Sequence, residues 1–192
     1  VNCTDFSRDQ YSLEEFAVFC VCVANKTAKV IAPAVHRLLT SLPGETPFEK
    51  LRKPRLTRLV SLIVKHGMGC QTMKGRGLYE LLRKGLDLRT CSVQDLESVY
   101  GIGQKTSRYF ILHTRQDQNC IPLDTHMLKF LRDKGIECPT SAPSSAKRYA
   151  ELEAHALKFA KERAMTPAEF DLTVWRHYSG NTPGESHEGN QD

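Results

Sequence analysis

The chain has 192 residues, of which 40% are hydrophobic and 26% charged, with a formal net charge of +5. This is enough for one medium domain, or two small lobes, around a real core, with the balance of an ordinary soluble globular protein. The longest apolar run, Phe16 to Ala24, is too short to cross a bilayer, so no membrane partner is expected and a cytoplasmic location is, in a host cell if the protein is viral. Glu185, Glu188 and Asp192 fall in the last fifteen residues, which carry no Lys or Arg, leaving +8 on residues 1–177. That suits a polyanionic partner, although charge of this size by itself more often serves solubility. Cysteines 3, 20, 22, 70, 91, 120 and 138 are odd in number and scattered, as in an intracellular protein with reduced thiols, and show no zinc-binding spacing.

Apolar residues at helical spacing predict a first helix over about 12–24, opened by a capping box at Ser12 to Glu15. A second follows over Thr27–Leu42, with Pro33 near its first turn, and Pro43-Gly44 stops it. A short element runs from Pro47 to before Pro54. Leu56 to His66 buries Leu59, Val60, Leu62 and Ile63 and is closed by Gly67 and Gly69. Lys50, Arg52, Lys53, Arg55, Arg58 and Lys65 stand against Glu49 alone, either lining DNA or forming a solvated basic face. Met73–Lys84 reads as a helix, with Gly75-Arg76-Gly77 as an alternative loop. Ser92 to Tyr100 is a short helix capped by Ser92 with Asp95 three residues on. Helices over 104–114, 125–133 and 146–163 follow, the last after a Ser/Pro/Ala linker at 139–145. Thr166-Pro167-Ala168-Glu169 opens the final helix, ending near Tyr178, with Phe170, Val174 and Trp175 expected in the core. The polar residues 180–192 read as a disordered tail following a single 1–179 domain.

The most informative stretch is Leu96-Glu-Ser-Val-Tyr-Gly101-Ile-Gly103-Gln-Lys105-Thr-Ser, followed by Leu123-Asp124-Thr125-His126. Two glycines bracketing an apolar residue suit a turn with close backbone approach, and the helix opening behind it presents free N–H groups to an anion. On spacing alone Lys105 is a phosphate contact and Asp124 a helix cap. The run resembles the helix-hairpin-helix and catalytic-aspartate signature of the DNA glycosylase superfamily that includes endonuclease III. The resemblance implies an all-α, two-lobed HhH-GPD fold, with the helix-hairpin-helix at about 92–114 and duplex DNA in a basic cleft between lobes. It also implies phosphate contacts at Gly101, Ile102, Gly103, Gln104 and Thr106, and a flipped-out pyrimidine, modified or damaged. Lys105 then attacks C1′ of the extruded nucleotide and Asp124 stabilises the cationic sugar. Some relatives hold an iron–sulfur cluster on four late, closely spaced cysteines; no cysteine follows Cys138, so no cluster is expected. No metal site and no obligate protein partner is inferred.

Residues 105–115, 123–133 and 166–175 look closer to bacteriophage proteins described as alpha-glutamyl/putrescinyl thymine pyrophosphorylases, a branch of amino acid:DNA transferases. That resemblance implies displacement of phosphate from a phosphorylated 5-hydroxymethyluracil by an amine such as glycine, the co-substrate, during thymidine hypermodification. Lys105 then assists the leaving phosphate and Asp124 takes the amine proton, with Arg108, His113 and His126 as candidate pocket charges. Lys26, in the turn between the first two helices, is a further pocket candidate. The bland readings are a phosphate contact for Arg108, structural histidines at 113 and 126, and a plain turn at Lys26. The transferase is the leading expectation, a base-excision glycosylase with or without lyase activity the alternative, and a catalytically inactive DNA-binding module the third.

Overall fold

The computed structural model describes residues 3–180, so the tail expected at 180–192 lies, beyond Gly180, outside the described residues. The described residues form ten α-helices and no strand. They divide into two compact units, Val1–Pro122 and Leu123–Asp192.

The first unit is built on α1 (Gln10–Cys22), with α2 (Ala28–Thr40), α3 (Pro47–Arg52), α4 (Leu56–Lys65), α5 (Gln71–Lys84), α6 (Val93–Glu97) and α7 (Gln104–Thr114). α1 is apolar almost all round and buries Leu13, Phe16, Ala17, Val18, Cys20, Val21 and Cys22, as a central helix must. Against it pack α2, α3, α5 and α7. Phe16 stacks near Phe110 of α7 at 6.0 Å, and the Arg8 guanidinium lies 4.1 Å above the Phe16 ring. Burial pushes the Cys22 thiol up to about 12 and raises Cys20 as well, so neither is a ready nucleophile.

Local capping differs from the sequence expectation at α1. Asp9, not Ser12, caps it, accepting from the Ser12 amide at 2.8 Å. Glu14 accepts from Gln10 Nε2 in that turn through Oε1 at 2.9 Å and caps α3 through Oε2, accepting from Phe48 N–H at 2.9 Å. A carboxylate only 6% exposed is thereby matched to an orphan helix amide. The predicted boxes at Ser92–Asp95 and Thr166–Glu169 form as expected.

The Gly75-Arg76-Gly77 segment is helix rather than loop, and packing gives the reason. A Cβ on Gly75 would stand 2.7 Å from Val60 Cγ2, and one on Gly77 would stand 2.8 Å from the Tyr100 carbonyl oxygen. α5 therefore approaches α4 on one side and the α6–α7 hairpin on the other more closely than any side chain allows. Lys74, just before the two glycines, is fully buried and donates to the Met68 carbonyl at 2.7 Å, pinning the α4–α5 turn.

The second unit contains α8 (Thr125–Asp133), α9 (Ala146–Glu162) and α10 (Pro167–Tyr178). Its core is an aromatic cluster in which Phe130 meets Phe159 and Phe170 edge-on, each at 5.3 Å. Tyr149 is fully buried, and its hydroxyl accepts from Leu123 N–H at 2.8 Å. Phe170 and Val174 are buried as expected, but Trp175 is 39% exposed, because the α10 stripe facing the core runs through Phe170, Asp171 and Val174.

Candidate functional site

The hairpin starts with the Ser92–Asp95 capping box and turns after Ser98. Ile102 is 5% exposed and anchors the turn in the core. Gly101 takes φ +80°, which glycine alone adopts without strain, whereas Gly103 has an ordinary φ of −98° and nothing within 4 Å of where a Cβ would sit. The two helices are tied together by Glu97, whose Oε1 accepts from Ser107 Oγ at 2.9 Å and from the Arg108 guanidinium at 2.8 Å.

A second carboxylate fixes the hairpin to α5. Glu80 Oε2 accepts from Tyr100 N–H at 3.0 Å, and its Oε1 accepts from Arg76 Nε at 2.8 Å. The Arg76 guanidinium stacks 3.9 Å from the Tyr100 ring. The Arg76 hydrogen bond, then the Tyr100 amide, hold the Glu80 carboxyl below the usual carboxylate range. Sequence reasoning missed this clamp, although Arg76 and Glu80 are four apart on one helix face.

The α7 N-terminus has no side-chain cap. The Ile102 amide, expected among the phosphate contacts, is instead engaged by the Val99 carbonyl at 3.1 Å. Gly101, Gly103, Lys105 and Thr106 amides donate to no acceptor among the described residues. A row of unsatisfied N–H groups at a helix N-terminus is a cradle for an oxyanion. Gln104, also expected there, is half-buried, and its carbonyl accepts from Ser107 Oγ and Arg108.

Lys105 lies in the first turn of α7, half-buried, with Nζ 4.9 Å from the centre of the Tyr109 ring. No carboxylate pairs with it among the described residues. Tyr109 is itself held by Cys3, whose sulfur lies 2.8 Å from the phenol oxygen. Sequence reasoning missed Tyr109, for which the signal was its position four residues after Lys105, on the same helix face.

Asp124 opens the second unit as the α8 cap, and Oδ1 accepts from both His126 N–H at 2.9 Å and Met127 N–H at 2.8 Å. Oδ2 has no partner among the described residues. One oxygen thus satisfies the helix and the other is unshared among the described residues, so capping does not exclude the catalytic reading.

The remaining candidates separate. Arg108 is a strut between the hairpin helices, with a side chain only 15% exposed. His113 has no exposed surface, and its Nδ1 lies 2.6 Å from Thr4 Oγ1, which favours the structural reading over the pocket one. His126 is half-buried with its ring edge-on to Trp175 at 6.4 Å. Lys26 is exposed, its Cε packed over Gly69 of the α4–α5 turn so closely that a Cβ there would meet it at 2.8 Å.

No family model matches the sequence. Among solved structures the chain is similar to the 8-oxoguanine DNA glycosylase of Thermotoga maritima, with a TM-score of 0.69 and 22% identity over 88% of this chain and 81% of that one. The 8-oxoguanine DNA glycosylase of Methanocaldococcus jannaschii gives a TM-score of 0.71 and 17% identity over 93% and 84%. The 8-oxoguanine glycosylase/lyase of the same organism, in complex with a 15mer DNA containing 8-oxoguanine, gives 0.69 and 18% over 91% and 84%. The chain has the all-α HhH-GPD fold of these DNA glycosylases.

Proposed function

We propose that the protein is a DNA glycosylase, with or without lyase activity, acting on a modified or damaged base in duplex DNA. The observation that carries this reading is the hairpin itself, where open amides at Gly101, Gly103, Lys105 and Thr106 share one turn with an amine that no carboxylate neutralises. The solved structures of like fold are glycosylases, one of them a glycosylase/lyase bound to DNA, which supports this chemistry over others.

The hairpin amides hold phosphates beside the extruded nucleotide, and that contact reads no base sequence. Lys105, once neutral, attacks C1′ with its lone pair. The C1′–N bond breaks, the base leaves with that electron pair, and it is protonated as it departs. In the same reading Asp124, whose Oδ2 is unshared, stabilises positive charge on the sugar, and the proton released by the amine passes to water.

A second reading, transfer of an amine such as glycine to a phosphorylated 5-hydroxymethyluracil, is favoured by the phage-like segments 105–115, 123–133 and 166–175. There the glycosidic bond survives and a carbon–oxygen bond to phosphate breaks. Mass spectrometry separates the two. The protein is incubated with duplex DNA carrying 8-oxoguanine, uracil, 5-hydroxymethyluracil or its phosphorylated forms, with and without glycine and borohydride. A free base, or a borohydride-trapped adduct lost in Lys105→Ala, is the expected result. Glycine's mass appearing on an intact nucleoside overturns the glycosylase in favour of the transferase.

A further inference from the structure

We propose that the exposed cationic surface of α3, α4 and the turn joining them is a second contact for the duplex backbone, separate from the hairpin. It supplies most of the salt-dependent affinity. The proposal rests on the protein being a duplex-DNA binder.

Charge in this chain is segregated. Residues 16–79 hold eleven Lys and Arg against Glu45 and Glu49, a net +9 in a chain whose total is only +5. Residues 80–122, which contain the hairpin, hold six cations against five carboxylates. The hairpin therefore offers amides but little charge, and counterion release requires cations set against phosphates.

Arg52, Lys53, Arg55, Arg58 and Lys65 are exposed, and none joins an ion pair among the described residues. Elsewhere Arg108 of the hairpin is paired with Glu97 and Arg148 of α9 with Glu151, and within residues 16–79 Arg76 of α5 is paired with Glu80. Of the two local carboxylates, Glu49 is occupied by the amides of Glu45 and Thr46 at the start of α3. Arg58 and Lys65, seven apart, share a face of α4, with Arg55 one turn earlier. From Arg55 to Lys65 the helix rises about 15 Å, spanning on the order of four phosphates of one strand.

A polyanion fits this surface better than a membrane or a protein. α4 commits Leu59, Leu62 and Ile63 to the core and leaves Val64 as its exposed large hydrophobic residue, too little to insert into lipid. Nor is there a buried aromatic anchor around which a protein interface could close.

The test uses the full chain and an unmodified duplex of about 30 bp, with affinity measured from about 50 to 200 mM salt. The triple variant Arg55→Gln, Arg58→Gln, Lys65→Gln is compared with a charge-matched control on α9, Lys147→Gln, Lys158→Gln, Lys161→Gln. The double variant Arg58→Gln, Lys65→Gln stands in if the triple does not fold. The slope of log K against log salt should become shallower by about 2 to 3 in the α4 triple, or nearly 2 in the double, at about 0.9 per phosphate. The control should change it by less than one. Equal changes in both triples, or an unchanged slope in the α4 variant, overturns the proposal while leaving DNA binding intact. Loss of binding to phosphatidylserine vesicles with an unchanged DNA slope overturns it in favour of a membrane surface. Wild-type protein that binds no duplex at all refutes the DNA-binding reading itself.

Discussion

Gly77→Ala tests whether α5 holds the hairpin in place. Glycine inside a helix normally costs about 1 kcal/mol relative to alanine, so on propensity alone this change stabilises. The structure predicts the reverse. The added Cβ meets the Tyr100 carbonyl oxygen at 2.8 Å and Val21 Cγ1 at 3.2 Å. Tyr100 cannot yield easily, because its N–H is held by Glu80 and its ring lies under Arg76. Overpacking of this kind costs about 1–3 kcal/mol, enough to cancel the propensity gain and leave a net loss on the order of 1 kcal/mol. That corresponds to a fall in Tm of about 2–4 °C for a chain of this size. Urea unfolding and duplex binding are measured together, with Gly75→Ala as comparison. The three atoms nearest a Gly75 Cβ all belong to Val60 of α4, the closest at 2.7 Å. Both variants should lose stability, but Gly77→Ala alone should also lose duplex affinity. A Gly77→Ala protein that is more stable than wild type and binds DNA equally well would refute the coupling.

Asp124→Asn should keep the α8 cap and lose turnover, whereas Asp124→Ala should lose turnover and also about 1 kcal/mol of stability; an active Asn variant in the product assay removes Asp124 from the chemistry. Tyr109→Phe keeps the ring beneath Lys105 and should retain borohydride trapping, while Tyr109→Leu should slow it; equal trapping in both makes Tyr109 purely structural. For Lys74, burial holds the ammonium below its usual range in the folded state. Between that lowered value and the ordinary 10.5 the folded chain binds fewer protons than the unfolded, so wild-type stability should gain from this residue as pH rises through the window. Lys74→Met removes that gain and leaves the Met68 carbonyl unpaired, at about 1–3 kcal/mol. The stability gap between wild type and variant, followed by urea unfolding, should widen toward pH 10.5, and a flat gap contradicts the assignment.

Local signals in the sequence were reliable where the structure they specify is local. The capping boxes at Ser92 and Thr166 depend on residues within four positions and form as expected, as does the turn at Gly101 with its positive φ, whereas Gly103 has an ordinary φ and no close neighbour. The misread features have both local and distant causes. At α1 the cap is Asp9, only three residues before Ser12, a local alternative that the Ser12–Glu15 pattern outweighed. The helix over Met73–Lys84 was legible, but the reason for Gly75 and Gly77 within it, Val60 and Tyr100 on either side, was not. Trp175 has the composition of a core residue, but helical phase sets its direction, and the phase follows Phe170 and Val174. The positions of Lys105 in the first turn of α7 and of Asp124 as the α8 cap were legible, because each is set by its own helix N-terminus. Glu80 and Tyr109 were not, since one acts through a distant amide and the other through an aromatic face.

Gly103 offers a test of whether the open hairpin amides hold phosphate. Its φ of −98° suits any residue, and nothing lies within 4 Å of a Cβ, so neither strain nor packing demands glycine there. Six helices of this chain start with a side chain that bonds to their first amides, at Asp9, Thr46, Ser92, Asp124, Ser145 and Thr166. Placing such a residue at 103 would satisfy amides that now donate to nothing. Gly103→Asp should accordingly stabilise the protein by a few tenths of a kcal/mol through capping, with a further ~0.3–1 kcal/mol from the helix dipole. The same carboxylate would occupy the cradle and repel phosphate, so duplex affinity should fall at every sequence. Thermal melts and duplex titrations on one preparation decide the matter. A variant that gains stability and keeps its DNA affinity would show that the open amides are filled by water alone and that the phosphate grip lies elsewhere.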